Sequence, residues 1–224
     1  MTLEGLRLKL RNNVIFPLTA KSRQKKLKNK SFTIISNNCW GGTVYESYAL
    51  QKQSPTVGMF FVAADYIRFL KRLDEYLNAE LEFVAPEKSM ASKYAFVTGD
   101  PRFGSYPVGK ISLGGEDIEI MFLHYHSEQE AREKWNRRKS RINRDRLLVK
   151  FNDQNACSHE LAREFDALPF KNKVFFTVSD DYADIACAVR LKCDKGCDTV
   201  QASREPFGAN KALNVNDLIN NLDS

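Results

Sequence analysis

Residues Ile118–Asn143, IEIMFLHYHSEQEAREKWNRRKSRIN, decide how the chain is read. Ile118–Tyr125 is apolar enough for a buried strand. Ser127 and Glu130 then form an S-x-x-E capping box, the signature of a helix start. Ala131, Trp135 and Ile142 give that helix an inward stripe, and Lys134, Arg137, Arg138 and Arg141 give it a basic outer face. While the strand stays extended, Ile118, Ile120, Phe122, His124 and His126 share one face. A strand running into a helix in this way places His124, Tyr125 and His126 at a strand's C-terminal end, where α/β proteins bind ligands.

The same alternation continues on both sides. Upstream, Ser31–Ser36 reads as a first buried strand. It runs into Asn37-Asn38-Cys39-Trp40-Gly41-Gly42, with a helix expected over Thr43–Leu50. Two glycines after a strand suit either a phosphate-cradling turn at a helix start or a plain tight turn with Trp40 packed over it. Asp65–Asn78 has the spacing of one amphipathic helix. Leu81–Val84 is a short strand, and Glu87–Tyr106 a long loop or weak hairpin. Tyr106–Ser112 reads as an edge strand, because Pro107 cannot donate to a central ladder. Downstream, Leu147–Phe151 is a strand ending at Asn152-Asp153, and Ser158–Leu168 a helix. Lys173–Thr177 is a strand ending near Ser179-Asp180, Tyr182–Leu191 is ambiguous, and Asp217–Leu222 is a closing helix.

Strands alternating with helices imply an α/β fold, a three-layer sandwich with a largely parallel or mixed central sheet flanked by helices. We divide it into a basic amphipathic N-terminal helical arm, residues 1–30, and a single α/β domain, residues 31–224. The four strand ends at Ser36-Asn37-Asn38, His124-Tyr125-His126, Asn152-Asp153 and Thr177/Ser179/Asp180 are expected along one sheet edge.

Charge is unevenly distributed. The 224 residues carry a formal net charge of +6, but residues 1–30 alone hold nine Lys/Arg against one Glu. Arg132–Arg146 is a second basic patch, and the remainder is acidic. Two patches on an acidic body argue against a nucleic-acid binder. In the arm, Leu3, Leu6, Leu10, Val14 and Ile15 recur near helical spacing, with a break expected at Pro17. The arm fits a solvated surface helix, or a peripheral contact with anionic lipid or an acidic partner. Apolar runs such as Val57–Ala64 fall short of a membrane span. With no h-region at the N-terminus, the expected location is cytoplasmic, with membrane association through the arm left open. The five cysteines read as free thiols. Cys193 and Cys197 are loosely spaced, with Cys187 nearby and no His close, so no metal set is assigned.

The candidate acid/base residues are His124 and His126, because imidazole titrates near working pH. The other roles open to them are metal ligation, for which H-x-H lacks an evident third ligand, and plain hydrogen bonding. The candidate ligand-binding residues are Asn37, Asn38, Trp40, Gly41, Gly42, Tyr125, Asn152, Asp153, Arg137, Arg138 and Arg141. The three arginines suit a phosphate clamp, or a solvated helix face.

NNCWGG, SPTVGMFF, DYIRFL, YPVG, DIEIMFLHY and KWNRRKSRIN, taken in order, resemble a family of uncharacterised bacterial proteins associated with exopolysaccharide and capsule biosynthesis genes. The resemblance runs from about Phe32 to Thr177 and carries no catalytic residues over. It implies a three-layer α/β fold and a role in surface-glycan assembly. The expected function is a transferase acting on an activated sugar or other phosphate-containing small molecule. The alternatives are a non-catalytic sugar- or partner-binding protein of the same pathway and, in second place, a nucleic-acid-binding protein. Cofactor and oligomeric state stay open.

Overall fold

A computed structural model describes residues 2–222. It opens with α1 (Leu3–Leu10), a π-helical turn over Arg11–Ile15 and α2 (Phe16–Gln24). Pro17 therefore does not break the helix. The wider turn just before it relieves the clash between a proline ring and the preceding turn's carbonyl. Strand β1 (Thr33–Ser36) follows, then α3 (Trp40–Ser47), α4 (Ala63–Lys71) and α5 (Leu73–Asn78). The single helix expected over 65–78 is thus two, divided where Arg72 leaves helical geometry. Next come β2 (Glu82–Val84), two short 3₁₀ turns and α6 (Ala95–Thr98), which replace the expected loop. The chain continues with β3 (Val108–Leu113), β4 (Glu116–Met121), α7 (Glu128–Lys139), β5 (Leu147–Asn152), α8 (His159–Ala167), β6 (Lys173–Thr177), β7 (Ala188–Arg190) and α9 (Val215–Asn220).

The α/β architecture is as expected, with two sheets. One is parallel, in the order β1-β5-β6-β7; the other is antiparallel, in the order β2-β3-β4. The parallel sheet is buried on both faces, and its side chains alternate accordingly. Ile35, Val149, Phe151 and Phe175 point to one core with α4, α8 and the antiparallel sheet. Ile34, Leu148, Val174 and Phe176 point to the other, beneath α3 and α9.

Two strand assignments change. The segment after Asp117 does not join the parallel sheet. It ends at Met121 and pairs antiparallel with β3, Ile111 opposite Ile118. β3 is the middle strand, not an edge. Pro107 lies just outside it and takes part only as an acceptor, from the Phe122 amide at 3.0 Å, so its missing N–H costs nothing. The glycine pair is also read differently: Gly41 and Gly42 lie inside α3, not in a turn before it. A Cβ on Gly41 would sit 3.3 Å from the Ile34 carbonyl and side chain, and one on Gly42 only 2.9 Å from Val57. Gly41 lets the helix pack closely on β1, and Gly42 lets it pack on the loop at Val57.

Glu119 is buried and fully engaged. It accepts hydrogen bonds from the Ser89 hydroxyl (2.5 Å) and the Met90 and Ala91 amides (3.0 and 3.1 Å). These bonds pin the start of the 89–105 segment to the antiparallel sheet.

At Gly109 a Cβ would fall 2.5 Å from the Phe122 ring and 2.8 Å from Leu81. Gly109→Ala is expected to lower stability by about 1–3 kcal/mol through overpacking. Urea denaturation would show this as a lower midpoint with an unchanged slope.

Candidate functional site

The C-terminal ends of β1 and β5 carry a buried polar network. Lys150 lies in the middle of β5, on the same face as Leu148, and is fully buried. Its ammonium donates to Glu205 Oε1 at 2.6 Å, Asn38 Oδ1 at 2.8 Å and Asn37 Oδ1 at 3.4 Å. Burial lowers the lysine's pKa and the Glu205 carboxylate opposes that shift. Asn38 Nδ2 also donates to Glu205 Oε1 (3.0 Å) and Gln154 Oε1 (3.2 Å). Asn37 Nδ2 donates to Asn152 Oδ1 at 2.7 Å, and Asn152 Nδ2 to Gln154 Oε1 at 2.9 Å. The side chains expected at these strand ends, Asn37, Asn38 and Asn152, thus meet. The network also takes in Lys150, Gln154 and Glu205.

Three contacts hold the segment after Val200 across this edge. Asp153 accepts the Val178 and Val200 amides at 2.9 and 2.8 Å. Trp40 Nε1 donates to the Pro206 carbonyl at 2.8 Å. Glu205 closes the set through Lys150. Asp153 and Trp40 are therefore spent on architecture, and Trp40 is a buried core residue, not a lid.

Above the network lies a cavity of about 670 Å³. Asn38, Gln154 and Glu205 form its floor. One wall is the face of α3 carrying Gly42, Thr43 and Glu46, with Cys39 just before the helix. These positions recur at i, i+3, i+4 and i+7, so they share a side of the helix. Burial pushes the Cys39 thiol up to about 12, so it rests protonated and is no ready nucleophile. The facing wall brings Val57, Phe60, Leu123 and His124 from the antiparallel side, and Phe96, Asp100 and Arg102 from the 89–105 segment. Leu8, Arg11 and Asn12 roof it from the N-terminal helix.

Charges on the lining are balanced. Arg102 grips Asp100 through Nε and Nη2 at 2.9 and 2.7 Å, and Lys52 pairs with Glu46 at 2.7 Å. Arg11 is buried and donates to the Ala202 carbonyl at 2.9 Å. Next to the floor, Asn155 and Ala156 both adopt positive φ, 59° and 63°. Consecutive left-handed residues of this kind gather where a site constrains the backbone.

His124 lies on the wall because β4 stops at Met121 and the chain turns. The His124 amide then donates to the Gly58 carbonyl at 3.0 Å. Desolvation of the ring, with the Arg102 charge second, holds its pKa below the usual imidazole value. His126 does not share that face. Its amide is tied to Glu130 at 2.8 Å as part of the α7 cap, and it does not line the cavity. Tyr125 is buried between them. The basic face of α7 also changes. Arg138 turns inward, to the Val57 carbonyl (3.1 Å) and the Tyr125 hydroxyl, while Arg141 reaches the Lys52 carbonyl. Arg137 is exposed on the helix. None of the three arginines lines the cavity, because Arg138 and Arg141 are tied to the backbone of Val57 and Lys52 behind its lining and Arg137 faces solvent.

Residues 10–222 match the family described as a domain of unknown function, DUF1919. The chain belongs to the DUF1919 family. A Haemophilus influenzae relative, itself described as an uncharacterized protein, is 40% identical over 154 residues. That match covers 69% of this chain and 65% of the relative, so the chain spans less than two thirds of the relative's length. No helix among the described residues of this DUF1919 protein is long and apolar enough to cross a membrane. Among those residues no group of three or more His, Cys, Asp and Glu is placed to hold a metal ion, and the five cysteines are free.

Lys150, Gln154, Glu205, Asp100 and Arg102 were not legible as site residues. Only Lys150 left a signal, a charged residue inside the apolar strand LLVKFN, which needs a partner if buried. Glu205 follows 55 residues later in a tail without periodicity.

Glu205→Ala strands a buried ammonium and is expected to cost about 3–5 kcal/mol. Lys150→Met combined with Glu205→Gln should recover much of that loss. Equal destabilisation by the single and double variants in chemical denaturation would show that the pair is not coupled.

Proposed function

We propose that this protein is a transferase of bacterial surface-polysaccharide assembly that takes an activated, phosphate-containing sugar donor into the 670 Å³ cavity. The observation that carries the reading is the convergence, on one cavity, of a depressed-pKa imidazole, a guanidinium, an ammonium and a floor of side-chain amides. Asn155 and Glu46, which line the cavity outside the floor network, suit sugar hydroxyls, which both donate and accept. Phe60 and Phe96 supply apolar surface for a ring. The pathway part of the proposal rests on the motif resemblance noted in the sequence.

In this reading the acceptor hydroxyl oxygen attacks the sugar carbon bearing the phosphate. The carbon–oxygen bond to phosphate breaks and the phosphate leaves with the electron pair. His124 takes the hydroxyl proton. Arg102 and Lys52, in place of the arginines of α7, face the developing phosphate charge. Arg102 uses Nε and Nη2 on Asp100, which leaves Nη1 without a partner among the described residues.

One observation favours a second reading, a sugar-binding protein without turnover. The His124 ring has no hydrogen-bond partner among the described residues, whereas a general base is commonly oriented by a third group. A thermal-shift screen with nucleotide sugars, followed by turnover assays on the ligands that bind, separates the two. Binding with no product would favour the second reading.

If the transferase reading holds, His124→Gln lowers turnover by about 10²- to 10⁴-fold while leaving donor affinity nearly unchanged. An undiminished rate in that variant would overturn the base assignment. Because the folded-state pKa of His124 is depressed, the ring stays neutral to below pH 6.5. The acidic limb of kcat/KM should therefore have its midpoint below that value. The same group makes folding stability fall as pH drops through 6.5, because the unfolded chain then binds the extra proton first.

A further inference from the structure

We propose that the N-terminal helix is a peripheral membrane contact, lying in the surface of an anionic lipid bilayer. Leu3, Leu6, Leu10, Val14 and Leu18 are 60%, 56%, 53%, 44% and 78% exposed. Their spacings of three, four, four and four residues place them along one side of the continuous helix formed by α1, the π turn and α2. Large apolar side chains left outside in a row, and not scattered singly, mark an interaction surface.

The opposite side of the helix is already committed. Phe16 and Ala20 are buried, and Phe16 packs edge-on against Phe207 at 4.9 Å. Arg23 donates to the Ser47 carbonyl at 2.8 Å. Arg7 pairs with Asp194. The helix is thus held on the body through Arg11 and α2, with its leucine row turned out, a convex ridge and not a groove for a peptide.

Charge selects the occupant. Residues 1–30 carry nine Lys/Arg and one Glu, against a net acidic remainder. Lys9 and Lys21 are exposed and lie three residues beyond Leu6 and Leu18, beside the row. Lys25, Lys26 and Lys28 continue the basic surface, and none of these five lysines has an ion-pair partner among the described residues. An apolar ridge edged with lysine fits acyl chains below and anionic headgroups beside it. A second copy of this chain would set the same lysines against each other in a symmetric pair. The same helix also roofs the cavity through Leu8, Arg11 and Asn12. Docking therefore places the cavity at the membrane surface.

The test is sedimentation of the full chain with vesicles of phosphatidylcholine alone or with about one third phosphatidylglycerol. We expect binding to the anionic vesicles only, weakened at high salt because the lysine attraction is screened. Leu6→Asp with Leu10→Asp changes only exposed positions and should reduce partitioning by about tenfold or more. Lys21→Glu with Lys25→Glu should do so in a salt-dependent way. No binding to anionic vesicles by the folded chain would overturn the proposal. So would binding that both double variants retain, or a solution dimer that Leu6→Asp with Leu10→Asp disperses while vesicle binding is absent.

Discussion

A lysine ammonium inside a parallel sheet is tolerated only where its lost hydration is replaced, and Lys150 imposes that condition on much of this molecule. It requires an anion, and the only carboxylate within ion-pair distance among the described residues is Glu205, from a segment with no regular structure. It requires acceptors, and Asn37 and Asn38 supply them from the end of β1. Those amides then need partners of their own, which draws in Asn152 and Gln154. One buried charge thus fixes the relation of β1, β5 and the C-terminal tail. The aromatic face of Phe176, 5.3 Å away, adds a weaker cation–π contact.

The cavity is a consequence of that tie. The order β1-β5-β6-β7 runs in one direction across the sheet, with no reversal to open a crevice between neighbouring strands. The concavity is built from outside instead. The tail lies over the edge, held by Asp153, Trp40 and Lys150. The antiparallel sheet brings His124, and the segment anchored by Glu119 brings Arg102. The resulting lining has three cations opposite three carboxylates, a composition suited to a polar ligand with both charged and hydroxyl groups and not to a polyanion.

The N-terminal helix joins the cavity to the exposed leucine row. Its π turn puts Arg11 under the tail at the Ala202 carbonyl, while the leucine row keeps to the outer side. Burial of Arg11 lowers its pKa, and the Glu205 charge is the largest opposing influence. The roof and the floor of the cavity therefore sense the same carboxylate.

The sequence by itself determined what depends on local pattern. Alternating strands and helices established the α/β class, and S-x-x-E located the start of α7 with its Ser127 cap at 3.1 Å from the Glu130 amide. Strand ends rich in Asn marked the edge where the network forms. Tertiary structure decided the rest, because pairing is non-local. The apolar run before His124 suits a parallel or an antiparallel sheet equally, and only its register with β3 chose the second. That choice separated His124 from His126 and turned Arg138 inward. Helical period likewise marked the leucines of the arm as one face, but not whether that face would be buried or left outside. The partner of Lys150 lies 55 residues away in a stretch without periodicity. A charge in an apolar strand announces that it needs a counterion; which one answers is settled only when the chain is folded.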